Sequence, residues 1–187
     1  MKSGLQINDE PLVKLGHKLL CLFFSAYDFD AFYRESAEEP SMRDPDPLDD
    51  LRQFEDTEIS ETLLTLAALA RACDDDYGLL EIANSAFPNG VGTLTSDKGT
   101  EPLTLREACN KIVHAQSVVY DLAKGVTNPI WDKWYSDNGH SINGVFKAPA
   151  IIINGAKQNN KVWEARLELV PFIYGVSIEN INNWNIA

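Results

Sequence analysis

Cysteine is scarce in this chain. Only Cys21, Cys73 and Cys109 occur among 187 residues, an odd number, widely spaced and each in an apolar helical context. Such a pattern argues against a disulfide framework or a zinc site and predicts buried thiols in a reducing compartment. Long hydrophobic runs are also missing: nowhere do about 18 uncharged apolar residues follow one another, as a membrane span requires. The first ten residues lack the apolar core of a secretory signal. Together these absences lead to the expectation of a soluble cytoplasmic protein.

Positive charge is in short supply as well. Lysine and arginine total 16 against 28 aspartates and glutamates, a formal net charge of −12. Most of the excess falls between Asp28 and Glu61, where 13 acidic residues face only Arg34, Arg43 and Arg52, whereas the stretch from Lys98 onward is nearly balanced. A negative field opposes nonspecific binding to phosphate backbones. No DNA or membrane partner is expected. Other signatures are missing too. Gly90-Val-Gly92 lacks the third glycine and preceding strand of a dinucleotide fingerprint, and no Gly-x-Ser-x-Gly elbow surrounds Ser36 or Ser141. His17 and His140 are read as lacking a second ligand at metal spacing. The aspartates at 44, 46, 49 and 50, and those at 74–76, lack the ligand order of a calcium loop and read as solvated charge. No metal or cofactor is expected.

What the chain does have is 44% hydrophobic and 24% charged residues, the balance of a globular domain able to bury one core. Leu12, Leu15, Leu19, Leu22, Phe23, Ala26, Phe29 and Tyr33 recur at three- and four-residue steps, the pattern of a long amphipathic helix with Pro11 in its first turn. Ile59, Leu63, Leu66, Leu69, Ala70 and Cys73 predict a second helix over 56–73, with Arg71 in its last turn. Three prolines between Glu39 and Asp50 predict a loop. Leu79–Phe87 can form a helical turn or two, and 88–99 reads as a long turn-rich connection. Beyond residue 116 the period changes. Ser117–Leu122, Ala150–Ile153 and Val162–Leu169 have the composition of strands, the last with Trp163, Ala165, Leu167 and Leu169 on one face and Glu164, Arg166 and Glu168 on the other. Lys157–Asn160 suits a hairpin loop. Residues 123–145 read as loop, and 171–184 permit a terminal helix. The expectation is a single α+β domain over 1–187: amphipathic helices over about 1–115, packed against a small antiparallel sheet over about 116–187.

One segment carries a compact set of chemically capable residues. Thr104-Leu-Arg-Glu-Ala-Cys-Asn-Lys-Ile-Val-His114 opens on a capping box, Thr104 with Glu107. Leu105, Ala108, Cys109, Ile112 and Val113 form its packing side. Arg106, Asn110 and His114 follow at four-residue steps along the other: a guanidinium for an anion, an amide to orient it and an imidazole for proton transfer. The same three residues can instead cap backbone groups and fix packing, and this is the stronger reading.

Arg106 and His114 on one helix of an acidic, largely helical chain resemble the signature of the HEPN superfamily. Seven residues separate them here, a longer spacer than that family carries, and Glu107 follows the arginine. The resemblance covers about a dozen residues and implies a metal-independent ribonuclease of the toxin–antitoxin or antiphage kind, or a degenerate relative. Two chains would then pair their motifs across a cleft, with His114 deprotonating an RNA 2′-hydroxyl and Arg106 stabilising the phosphorane. The chain also loosely resembles small bacterial proteins of unassigned function. The other reading is a non-enzymatic association or accessory module. Phe23, Phe24, Tyr27, Phe29 and Phe32 exceed what one helical stripe needs, so self-association or a protein partner is expected. Trp131, Trp134, Tyr135, Trp163 and Trp184 fit burial or a partner surface better than base stacking, because basic residues are not interleaved with them.

Overall fold

In a computed structural model, the described backbone comprises residues 10–36, 47–124, 145–156 and 161–179, and the described side chains are those of 10–23, 54–121, 149–156 and 161–177. The expected hairpin loop at 157–160, most of the 123–145 stretch, and the aromatics Phe24, Tyr27, Phe29, Phe32, Trp131, Trp134, Tyr135 and Trp184 fall outside the described set.

The fold is α+β, as the change of period implies. Two long helices open it, α1 (Glu10–Ser36) and α2 (Pro47–Tyr77). On α2 the residues Ile59, Leu63, Leu66, Ala67, Ala70 and Cys73 are buried, and this stripe lies against α1 on one side and against helix α4 (Leu105–Val113) on the other. The helix is longer than its hydrophobic stripe. It starts at Pro47, inside the segment read as loop, because proline's fixed φ and missing N–H suit a first turn. It runs on through the three aspartates to Tyr77, so Arg71 sits in mid-helix instead of the last turn. Gly78, at φ +67°, then stops it, its N–H bonding to the Asp74 carbonyl at 2.7 Å; a left-handed residue there favours glycine. The short helix α3 (Leu79–Asn84) follows directly and buries Leu79, Leu80 and Ala83.

The turn-rich connection expected over 88–99 contains two strands. β1 (Gly92–Ser96) and β2 (Gly99–Pro102) pair antiparallel around Asp97-Lys98, with Thr95 and Thr100 hydroxyls 3.0 Å apart across the ladder. The glycines and Pro88 conceal this hairpin, because its strands are short and Leu94 alone is buried among their residues. Strands β3 (Ser117–Lys124), β4 (Val145–Ala156) and β5 (Val162–Glu168) complete a five-stranded antiparallel sheet in the order β2-β1-β5-β4-β3. Thus β5 joins the early hairpin to the later strands, pairing Leu94 with Ala165 and Ile153 with Ala165. The sheet therefore draws two strands from the part expected to be helices and loops.

Alternation along β5 sorts the two faces. Trp163, Ala165 and Leu167 are buried with Ile151, Ile153 and Leu94 beneath the helices, while Thr93, Thr95 and Glu164 are exposed on the outward face. Leu169 does not extend the strand but starts α5 (Leu169–Tyr174), which passes into a π-helical turn at Gly175–Glu179. This turn docks on α1 at Gly16, where an added Cβ would stand 2.3 Å from Ser177 Oγ; that buried hydroxyl donates to the Leu12 carbonyl at 3.2 Å. Among the described residues no helix is long and apolar enough to cross a membrane.

Candidate functional site

The capping box forms at the start of α4: Thr104 is the N-cap, and its hydroxyl accepts from the Glu107 N–H at 3.3 Å. From that start the packing side falls where its spacing puts it, with Leu105, Ala108, Cys109 and Ile112 buried. Leu105 N–H also bonds the Asn84 side chain at 3.1 Å, tying the end of α3 to the start of α4.

Arg106 reaches back to the end of α2. Its Nη1 is paired with Asp74 Oδ2, and its Nη2 lies 2.6 Å from Asp75 Oδ1. Asp74, read from the sequence as solvated charge, is buried: its side chain is 1% exposed, against 45% for Arg106. The other Asp74 oxygen accepts from the Leu80 N–H at 2.8 Å, serving as the cap that Gly78 cannot supply to α3. One carboxylate thus holds together the end of α2, the start of α3 and the flank of α4. Fusion of Asp74 into α2 turns its side chain inward; the sequence signal that could have found it is the step of three to four residues from Ala67 and Ala70.

Asn110 turns away from that cluster. Its Nδ2 donates to Glu107 Oε2 at 3.1 Å, and Glu107 Oε1 pairs with Lys111 Nζ at 2.8 Å. Lys111 is only 8% exposed and lies 4.5 Å from the centroid of the Trp163 ring, a cation over an aromatic face. His114 ends the helix as its C-cap; its N–H bonds the Asn110 carbonyl at 3.0 Å, and its exposed imidazole meets no hydrogen-bond partner among the described residues. The three candidates therefore share a helix but have separate environments. Around Arg106, the carboxylates Asp74 and Asp75 already match the guanidiniums of Arg106 and Arg71, so a phosphate would have to displace a carboxylate to reach Arg106.

The cysteines divide differently from the expectation. Cys73 and Cys109 are buried, but Cys21 is exposed. Burial pushes the Cys109 thiol up to about 12 against the opposing pull of Arg71 and Arg106, which keeps it protonated and inert. Burial, then the charge of Asp76, also raises Cys73. Tyr120 on β3 is shifted upward by burial and then by Asp56, to whose carboxylate its hydroxyl donates; its ring meets Phe23 edge-on at 5.9 Å. This contact joins α1, α2 and the sheet.

A second polar assembly, absent from the sequence reading, lies on the outward face of the sheet. Arg166 Nε donates to Asp121 Oδ2 at 2.9 Å and its Nη1 pairs with Glu168 Oε1. The hydrogen bonds that Arg166 donates to Asp121 and then to Glu168 raise its pKa further. Ladder register places Val119, Ile152, Arg166 and Thr93 in one row across four strands; Val119 is 52% exposed. Strand alternation puts Arg166 on this face, but only pairing of β3 with β4 and β4 with β5 brings Asp121 beside it.

Among the described residues, no group of three or more histidine, cysteine, aspartate or glutamate side chains is placed to hold a metal ion. Comparison with known proteins finds no matching family model, no similar curated protein and no similar solved structure.

Proposed function

We propose that this protein acts by association, with a protein partner or with a second copy of itself, and not by catalysis. The observation that carries this is the row Val119, Ile152, Arg166 and Thr93, where exposed and half-buried apolar side chains adjoin an arginine already oriented by Asp121 and Glu168. Protein interfaces combine such apolar anchors with arginine, and an arginine fixed beforehand loses less freedom on binding. Commitment of Arg106 to Asp74 and Asp75 supports the same conclusion from the other side. The three free thiols support a cytoplasmic setting. The test is a photo-crosslinking residue placed at 119 in the full chain, beside a control at Ala68 on the exposed side of α2, with sedimentation of wild type and Val119→Glu. A crosslink specific to position 119, to itself or to another protein, is expected. Equal capture at both positions, with both proteins monomeric, refutes the proposal.

The second reading is the HEPN-like ribonuclease. Its support is that His114 is exposed at the end of the helix whose first turn carries the half-exposed Arg106. His114 would take the 2′-hydroxyl proton and Arg106 the phosphorane charge, which requires the guanidinium to exchange two carboxylates for a phosphate. Cleavage of a structured RNA pool in EDTA by wild type, and its loss in a folded His114→Ala variant, would establish this activity; no wild-type cleavage removes it.

A further inference from the structure

We propose that the partner at the outward surface is a second copy of this chain, added edge to edge along β3 so that two sheets become one. The inference rests on the association reading above and names its occupant. The sheet ends in two unlike strands. At one edge β2 is four residues long and carries Glu101 and Pro102, features that blunt an edge against further pairing. At the other, β3 runs for eight residues, and its first four, Ser117-Val-Val-Tyr120, hold neither charge nor proline. Among the described residues β3 pairs on one side only, with β4. Val118 and Val119 alternate between the two faces of the sheet and are 39% and 52% exposed. This stretch of the edge is therefore open from both sides.

The outward row shows why the occupant is the same chain. From β1 to β3 it reads Thr93, Arg166, Ile152, Val119, polar at the far end and apolar at the edge. A second copy turned about a twofold axis normal to the sheet continues the row as Val119, Ile152, Arg166, Thr93. Four β-branched apolar side chains then adjoin at the centre with an arginine on either side, the apolar middle and polar rim of a protein interface. Register narrows the axis to one residue. Opposite side chains in an antiparallel pair share a face, so the axis passes through a residue and not between two. At Asp121 it would set like charges opposite each other, and at Tyr120 it would set Val119 against the Asp121 carboxylate. At Val118 it would set Val119 against Ser117 and break the apolar centre. At Val119 the valines meet, and Val118 comes opposite Tyr120 of the second copy, a β-branched side chain against an aromatic.

The experiment is disulfide trapping of the full chain at about 0.15 M salt, where the charges of two acidic copies are screened beyond about 8 Å. Val119→Cys, Val118→Cys and Thr95→Cys are made singly in a Cys21→Ser background, because Cys21 is exposed whereas Cys73 and Cys109 are buried, and are oxidised with copper–phenanthroline. Directly opposite residues have Cα atoms about 4.5–5.5 Å apart, inside the span of about 4.4–6.8 Å that a disulfide bridges; the diagonal from Val118 to its own mate, about 7–8 Å, exceeds it. Val119→Cys is therefore expected to form a linked dimer about tenfold faster or more than Val118→Cys or Thr95→Cys, with the circular dichroism of all three as in wild type. Equal rates at the three positions, or no dimer from Val119→Cys, overturn the pairing. The association reading fails separately. If the crosslinker at 119 captures a different protein while Val119→Cys stays monomeric, the second copy is wrong and the reading stands; no capture of any kind removes both.

Discussion

Replacing Arg106 with alanine should destabilise the fold through Asp74. Breaking a buried ion pair by removing one partner costs about 3–5 kcal/mol, because a charge is left buried without compensation. Here the burial is one-sided: the Asp74 side chain is 1% exposed and that of Arg106 45%. Solvent on the guanidinium side lowers the expected cost to about 2–3 kcal/mol, and the half-exposed Asp75 contact adds well under 1 kcal/mol. For a chain of this size about 1 kcal/mol corresponds to roughly 2–4 °C, so the melting temperature should fall by about 4–12 °C. Calorimetry and urea unfolding read the effect directly. The decisive comparison is a double-mutant cycle with Asp74→Asn, which keeps an oxygen for the Leu80 N–H but removes the charge. In that background Arg106→Ala should cost less than about 1 kcal/mol, since the partner it compensates is gone. A melt of Arg106→Ala within a degree of wild type, or a cost independent of residue 74, would refute the reasoning and return the guanidinium to the list of groups available to a phosphate.

Three further outcomes are expected. Cys109 has its thiol raised from 9.0 to about 12 in the folded state, so its protonated form is favoured by folding; that stability is fully present below pH 9 and is lost progressively between pH 9 and about 12. At about 1.4 kcal/mol per unit, urea unfolding of Cys109→Ala should fall less steeply than wild type across this window, and parallel slopes would contradict the assignment. Gly155→Ala should destabilise by about 1–3 kcal/mol through overpacking, since the new Cβ would lie 2.2 Å from Trp163 Cζ2; an unchanged denaturation midpoint refutes it. Lys111→Met should keep the stem packed over Trp163 and remain within about 1.5 kcal/mol of wild type, whereas Lys111→Glu should lose more than about 3 kcal/mol by burying a second carboxylate beside Glu107; equal losses in chemical denaturation would show that charge is immaterial there.

Much of the architecture was legible wherever a period ran long enough to be unambiguous. The stripe from Ile59 to Cys73 marked α2, the alternation from Trp163 to Leu167 marked β5 and its buried face, and Thr104 with Glu107 marked the first turn of α4. Each depends on interactions among residues close in the chain or on a single repeating face. The hairpin of β1 and β2 was concealed because short strands rich in threonine and glycine carry almost no periodic signal of their own; their stability comes from pairing with β5, far along the sequence. Cys21 was misplaced for a related reason, since a cysteine in an apolar helix looks buried until the packing partners of that helix are known.

For the candidate site the division is sharper. Sequence alone determined that Arg106, Asn110 and His114 would share one helix, because spacing along a helix is a local geometric fact. Helix spacing also gives Asn110 its partner Glu107, three residues back, whereas tertiary structure decided what the other two face: Asp74 and Asp75 for Arg106, solvent for His114. Tertiary structure likewise decided that Asp121 and Arg166 meet across the sheet, and that Asp74 is a buried cap and not a solvated charge. Electrostatic partners drawn from different elements are set by which elements pack together, and burial then sets the strength of each pairing; neither quantity is written in the order of residues along one segment.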